Sequence, residues 1–175
     1  MEATDSAPGE LALVQRFVNT ADLDRGTDEL ADDEGLAAWL VANGMATEVD
    51  AGGRERAVAV REALRALLLA NQGGEPDREA IATLDRAAAI TVAFDAAGTA
   101  RLEPVHNGVD GVIARLLAIV ARAQAEGTWP RLKACPNDHC HWAFYDRSRN
   151  RSRTWCAMSV CGNRAKARSY RERHR

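Results

Sequence analysis

All four cysteines of the 175-residue chain fall in its last 45 residues, at Cys135, Cys140, Cys156 and Cys161, spaced C-x4-C-x15-C-x4-C. Two close thiol pairs separated by about one hairpin's length of chain constrain a fold strongly. Each pair can grip one metal ion from a single turn, and soft thiolates suit tetrahedral Zn²⁺. A disulfide framework is the rival reading. The thiols, however, are confined to one tail and the chain shows no secretory leader, so a reducing cytoplasm is the expected location and free thiols the expected state. One structural zinc on four cysteines is therefore the expected cofactor. His139 and His141 flank Cys140 and leave a Cys3His variant open, although four cysteines already complete a closed shell. A closed shell holds no water for hydrolysis, and the body shows neither a nucleophile elbow nor a phosphate-binding glycine loop, so no enzymatic activity is expected. His106 and Asp110 do not form a catalytic set alone.

The net charge of −2 conceals a division near Arg131. Residues 131–175 hold 12 Arg/Lys against 3 Asp/Glu, a balance of +9, which leaves the first 130 residues with 11 against 22, or −11. A zinc tetrathiolate adds roughly −2, so the tail stays near +7. An acidic, separately packed body carrying a polyanion-binding tail follows from this polarity. No apolar run approaches the ~18 residues of a membrane-spanning helix.

Periodicity in the body predicts helices and one β-hairpin. Leu11, Val14 and Val18 share a helical face that ends at Asn19-Thr20, and the acidic stretch Asp22 to Asp33 is expected to be a loop. A second helix begins at an Asp32 or Asp33 N-cap, buries Leu36, Trp39 and Leu40, and stops at Asn43-Gly44. A third runs from about Arg54 to Ala70 with Ala57, Val60, Leu64, Leu67 and Leu68 on one stripe. Pro76 opens a fourth, carried by Ile81, Leu84 and Ala88. Ile90 to Asp95 and Thr99 to Val105 flank a turn at Ala96-Ala97-Gly98 and read as two strands. A fifth helix spans about Asn107 to Glu126, and Trp129-Pro130 marks the boundary between a domain at 1–130 and one at 131–175. Asn19, Thr20, Arg61 and Arg65 are candidates to line a small-molecule pocket, with helix capping and surface ion pairs as the competing account.

In the tail, Cys135 to Cys140 predicts a zinc knuckle. Trp142, Phe144 and Trp155 predict a hairpin closed by Cys156, joined by a polar connection from Asp146 to Arg153. Cys161 leads through a Gly162-Asn163 cap into a final helix. The expected class is α+β: a mainly helical N-terminal domain with one hairpin, followed by a small treble-clef-like finger held together by its metal.

These residues carry a resemblance. Cys135-Pro136, Cys140-His141-Trp142-Ala143-Phe144-Tyr145-Asp146-Arg147-Ser148-Arg149-Asn150, Arg153-Thr154-Trp155-Cys156-Ala157-Met158 and Cys161-Gly162-Asn163-Arg164 resemble the CGNR zinc finger over about forty residues. Phe17-Val18-Asn19-Thr20 and Arg61-Glu62-Ala63-Leu64-Arg65 resemble the ABATE domain that precedes such fingers. The resemblance implies a stress-related transcription regulator.

The basic residues give this a physical footing. Arg164, Arg168, Arg171 and Arg175 recur at i, i+4, i+7 and i+11 on one face of the last helix, with Lys166 and Arg173 beside them, while Ala167, Tyr170 and His174 are expected to pack towards the hairpin. Arg147, Arg149, Arg151 and Arg153 alternate with Ser148, Asn150 and Ser152, a set of donors suited to phosphates. Arg147, Arg149, Arg151, Arg153, Arg164, Lys166, Arg168 and Arg171 are thus the expected nucleic-acid contacts. The leading reading is a regulator that binds double-stranded DNA through the finger, while the body senses a small-molecule effector or forms a homodimer. An RNA-binding accessory protein and a zinc-stabilised protein-interaction module remain as alternatives.

Overall fold

In the computed structural model, which describes residues 6–45, 48–87 and 89–174, the body is a packed set of helices with short hairpins. Helix α1 spans Leu11–Val18, α2 Asp33–Ala42, α3 Gly53–Ala70, α4 Arg78–Ala87 and α5 Gly108–Ala125. Their starts and stops follow local chemistry. The Asp32 carboxylate accepts from the Gly35 N–H at 2.7 Å and caps α2, whose end passes through Asn43 to Gly44 at φ +70°. Asp77, directly after Pro76, accepts from the N–H groups of Glu79 and Ala80 and begins α4. Ala88, assigned by the sequence pattern to this helix, lies outside the described residues, as does Arg175.

The apolar stripes meet in one core. Val14, Phe17 and Val18 of α1, Val60, Leu64 and Leu68 of α3, and Ile113 and Leu116 of α5 are all buried, and the Phe17 and Trp39 rings sit 5.2 Å apart. The predicted body hairpin forms as β3 (Ile90–Phe94) paired with β4 (Ala100–Pro104), antiparallel with Val92 opposite Leu102. The segment expected to be a loop folds back on itself instead: β1 (Ala21–Asp22) pairs with β2 (Thr27–Asp28) around a four-residue turn at 23–26. Two-residue strands are too short to leave an alternating pattern in the sequence.

Beyond a short 3₁₀ turn at Trp129–Arg131, the finger departs from its expected layout in three places. Its hairpin is formed by β5 (Leu132–Ala134) and β6 (Ala143–Tyr145), flanking the knuckle, whereas Trp155 and Cys156 lie in no strand. Trp142 and Trp155 pack on the cysteine cluster with Phe144, so their aromatic character serves the metal site rather than a second hairpin strand. The last helix, α6 (Asn163–Arg173), continues directly from a π-helical turn at Met158–Gly162. Asn163 is consequently not a cap: its amide donates back to the Ser159 carbonyl at 3.0 Å. Helix α6 has no buried residue. Tyr170 is exposed and stacks on His174, so neither packs towards the hairpin.

The two parts of the chain do not have separate cores, contrary to the charge-based expectation. Leu132, Ala134, Ala143 and Tyr145, on one face of the finger hairpin, belong to the same buried cluster as α1, α3 and α5. Only the cysteines with Phe144, Trp142 and Trp155 form a second cluster. Polar side chains of the body satisfy the hairpin's free edges, since unpaired backbone groups there would be buried at a cost. On β6, Asn19 accepts from the Ala143 N–H at 2.7 Å and donates to the Ala143 carbonyl at 2.9 Å. On β5, Asn71 donates to the Leu132 carbonyl and Gln72 to that of Ala134.

Candidate metal centre and basic face

The knuckle between β5 and β6 turns on Asn137. Its carbonyl accepts from the Cys140 and His141 N–H groups at 2.8 and 3.2 Å, its side-chain oxygen accepts from the His139 N–H, and its amide approaches Cys161 Sγ at 3.5 Å. His141 takes a left-handed conformation at φ +45°, which lets the chain leave the turn and re-enter β6. Cys135 and Cys140 come from this knuckle, Cys156 from the end of the following loop, and Cys161 from the π-helical turn that leads into α6.

The four Sγ atoms all lie within 4.8 Å of one another, with Cys140 to Cys156 at 3.6 Å and Cys156 to Cys161 at 3.7 Å. Tetrahedral zinc with sulfur at ~2.3 Å sets S···S separations of about 3.8 Å, close to the two pairs at 3.6 and 3.7 Å. Hydrogen bonds from the Cys140 and Cys156 thiols lower Cys135, and donating those bonds, with burial, pushes Cys140 and Cys156 up. Four buried or half-buried thiols converging on one point are the donor set of one structural zinc, whose closed shell they complete. His139 is exposed, and His141 contributes its carbonyl to Arg65.

The arginine-rich loop after β6 is built around a buried ion pair. Asp146, fully buried, accepts from Lys133 Nζ at 2.8 Å, from the Ser148 N–H and hydroxyl, and from the Arg153 N–H. Lys133 also donates to the carbonyls of Arg151 and Arg153. Burial alone would raise the Asp146 carboxyl, but the Lys133 ammonium and the Ser148 donors lower it to about 2. This hub was missed from the sequence, where Asp146 appears only as one acid among arginines.

The loop's arginines divide in use. Arg153, one of the expected contacts, is turned inward: its guanidinium lies 4.8 Å from the Phe144 ring centroid and donates to the carbonyls of Trp155 and Cys156, fastening the loop to the metal cluster. Arg147 donates to the Ser6 carbonyl and lies over Tyr145. Arg149 and Arg151 are exposed, with no side-chain ion pair among the described residues. On α6, Arg164, Arg168 and Arg171 share the expected stripe, and they line one cleft of about 430 Å³ against the knuckle, together with Trp155, His139 and Asp24. Lys166 is exposed elsewhere on the helix.

Asn19, Thr20, Arg61 and Arg65 come together, but as a seam between body and finger. Arg61 makes a bidentate pair with Asp28 at 2.6 and 2.8 Å and donates to the Thr20 hydroxyl, which itself donates to the Phe17 carbonyl. Arg65 reaches the carbonyls of Val18 and His141 and pairs with Glu62. Burial would raise Asp28, yet the Arg61 bonds hold its carboxyl below the ordinary value. Among the described residues no buried side-chain nitrogen or oxygen lacks a partner, so the polar groups of this seam are satisfied within the protein.

Two family profiles cover the chain in keeping with this architecture. Residues 131–174 match the CGNR zinc finger, and residues 11–127 match ABATE, described as "Putative stress-induced transcription regulator". The second match spans well over half of the chain, which therefore belongs to that family and ends in a CGNR zinc finger. No curated protein matches the chain at a significant level. Among the described residues no helix is long and apolar enough to cross a membrane.

Proposed function

We propose that the protein is a DNA-binding transcription regulator whose finger holds duplex DNA mainly by phosphate contacts from Arg147, Arg149, Arg151, Arg164, Lys166, Arg168 and Arg171. The observation that carries this reading is α6, eleven residues with none buried, which presents an arginine stripe beside a metal-ordered knuckle. Guanidinium groups pair with phosphate oxygens in a bidentate fork, and a rigid mount reduces the ordering cost of each contact. Arg153 is left out because its half-buried guanidinium is held on the Phe144 ring and the Trp155 and Cys156 carbonyls, whereas Arg147 stays exposed. The body mounts the finger and carries the regulatory input, through a small-molecule effector or a second copy of the chain. Exposed Val92, Phe94 and Leu102 on the β3–β4 hairpin support the homodimer. Catalysis has no part in this reading, since four cysteines fill the zinc shell. The cytoplasm, where DNA and reduced thiols coexist, is the proposed location.

Fluorescence anisotropy with the zinc-loaded protein and a labelled duplex tests the reading. If about five to seven phosphates are engaged, log K falls against log salt with a slope of about −5 to −6. The Arg164→Ala/Arg168→Ala variant should bind more weakly, with a slope shallower by about 2. Unchanged affinity and slope in a variant that keeps its zinc would rule out this face. Preferential displacement by single-stranded or structured RNA would transfer the same surface to an RNA-binding role.

A further inference from the structure

The cleft between α6 and the knuckle already holds an anion. Asp24, at the tip of the β1–β2 turn, places its carboxylate 2.6 Å from the Arg164 guanidinium. It belongs to the acidic body, and the helix it meets belongs to the basic finger. Among the described residues the only other ion pair of α6 is Arg168 with Asp138 at 4.0 Å, within the finger itself. Asp24 is therefore the body's charge contact with a helix that buries nothing. The turn is shaped to present it: the Asp22 carboxylate accepts from the Arg25 N–H at 3.1 Å, and Gly26 takes φ +67°, closing the four-residue loop so that its tip projects. Around the carboxylate the cleft is lined by Arg164, Arg168, Arg171, His139 and Trp155, a set with three cations and one half-buried indole.

We propose that this cleft is a phosphodiester site of the DNA-binding face and that Asp24 is its built-in competitor, occupying the Arg164 donors until a backbone phosphate displaces it. The proposal rests on the DNA-binding reading above and adds the regulation of that face. A phosphodiester and a carboxylate both accept from a guanidinium fork, and two anions in one narrow cleft repel each other, so occupation by one opposes the other. Both partners are about half-exposed, at 52 % and 43 % of the side chain, which makes exchange easy and the penalty small. An exposed pair of this kind is worth a few-fold in an equilibrium. The body thereby lowers the finger's affinity through a single turn, and anything that moves β1–β2 alters DNA binding without touching the zinc.

The test is a double-mutant cycle in the full, zinc-loaded chain, read by anisotropy with a labelled duplex. Asp24→Asn should bind about two- to fivefold more tightly than the wild type. Glu79→Gln on α4, which makes the same charge change away from the cleft, should bind as the wild type does. In an Arg164→Ala background the gain from Asp24→Asn should shrink, and Arg164→Ala should cost more affinity when Asp24 is absent than when it is present. Equal binding by Asp24→Asn and wild type overturns the competitor and leaves the DNA-binding reading standing. An equal gain in Asp24→Asn and Glu79→Gln reduces the effect to net charge and also overturns the competitor. If neither wild type nor Asp24→Asn binds the duplex, the DNA-binding reading fails and the competitor fails with it.

Discussion

The finger contains two arginine-rich segments of similar composition, the loop that follows β6 and the helix α6, and they are held in opposite ways. In the loop a buried carboxylate, Asp146, gathers the backbone through Lys133, Ser148 and the Arg153 N–H, and Arg153 itself turns inward onto Phe144. In α6 no residue is buried, and among the described residues its ion pairs are the exposed ones at Arg164 and Arg168. The number of arginines in a segment is therefore a poor measure of how much of its charge stays available. A carboxylate placed among them converts part of the charge into scaffold, and a helix with no apolar face leaves its charge for a partner.

Removing the zinc should affect the two segments most strongly and unequally. Metal binding contributes on the order of 10–16 kcal/mol in finger peptides, and one equivalent per chain is the expected stoichiometry on four cysteines. Helix α6 follows Cys161, buries no residue and is tied to its surroundings by exposed ion pairs, and an isolated helix of its length is marginal in water. The loop keeps its anchor at Lys133 on β5, whose neighbours Leu132 and Ala134 lie in the shared core. Hydrogen exchange after chelation should therefore show α6 fully unprotected, with partial protection remaining in the hairpin and around Asp146. Equal loss in both segments would end the distinction.

Asp146→Ala should come next, costing about 3–5 kcal/mol in urea unfolding, because it strands the buried Lys133 ammonium without its anion. The same pair sets an acid limit. With the Asp146 carboxyl held near 2 in the folded protein against an ordinary value of 3.8, its stabilisation is present above about pH 4 and is lost as the pH falls towards 2. That loss is on the order of 2 kcal/mol and should be absent from the pH profile of Asp146→Asn.

A smaller effect, about 1–3 kcal/mol, is expected for Asn19→Ala, which leaves the Ala143 N–H without a partner in the seam. The loss should appear in the unfolding of the whole chain as one transition, since both sides of the seam feed one core. Two transitions, with only the finger weakened, would restore the picture of independent modules.

These elements also mark how far the sequence could be read. Helices α1 to α5 and the β3–β4 hairpin were legible because their apolar spacing is local. So were the four zinc ligands, whose paired spacing is itself the chemistry. The seam was not legible: Asn19 meets Ala143, and Asn71 meets Leu132, across long stretches of chain that leave no periodic trace. Trp142 and Trp155 suggested strands because aromatic residues favour both strands and metal-site packing, and only the three-dimensional cluster separates the two. Asn163 suggested a helix start where the chain was already helical through the π turn. The division of the arginines was hidden for the same reason as the seam, since a charge run does not reveal which guanidinium finds a carbonyl or a ring.

The finest test of the contrast pairs Arg153→Ala with Lys166→Ala. Both remove one positive charge from the finger, so a reading based on charge alone predicts the same result for each. Arg153→Ala removes a cation–π contact and donors to the Trp155 and Cys156 carbonyls, next to a zinc ligand, and should lower unfolding stability by about 1–3 kcal/mol. With zinc bound, its salt slope for duplex DNA should stay that of the wild type, because its guanidinium engages no phosphate. Lys166→Ala lies on an exposed helical surface and should stay within about 0.5 kcal/mol of wild-type stability. Its salt slope should fall by about 0.9, the counterion released per phosphate neutralised. Equal slopes in the two variants would mean that the finger acts on DNA as a diffuse cloud of charge, and the difference between loop and helix would then matter for stability alone.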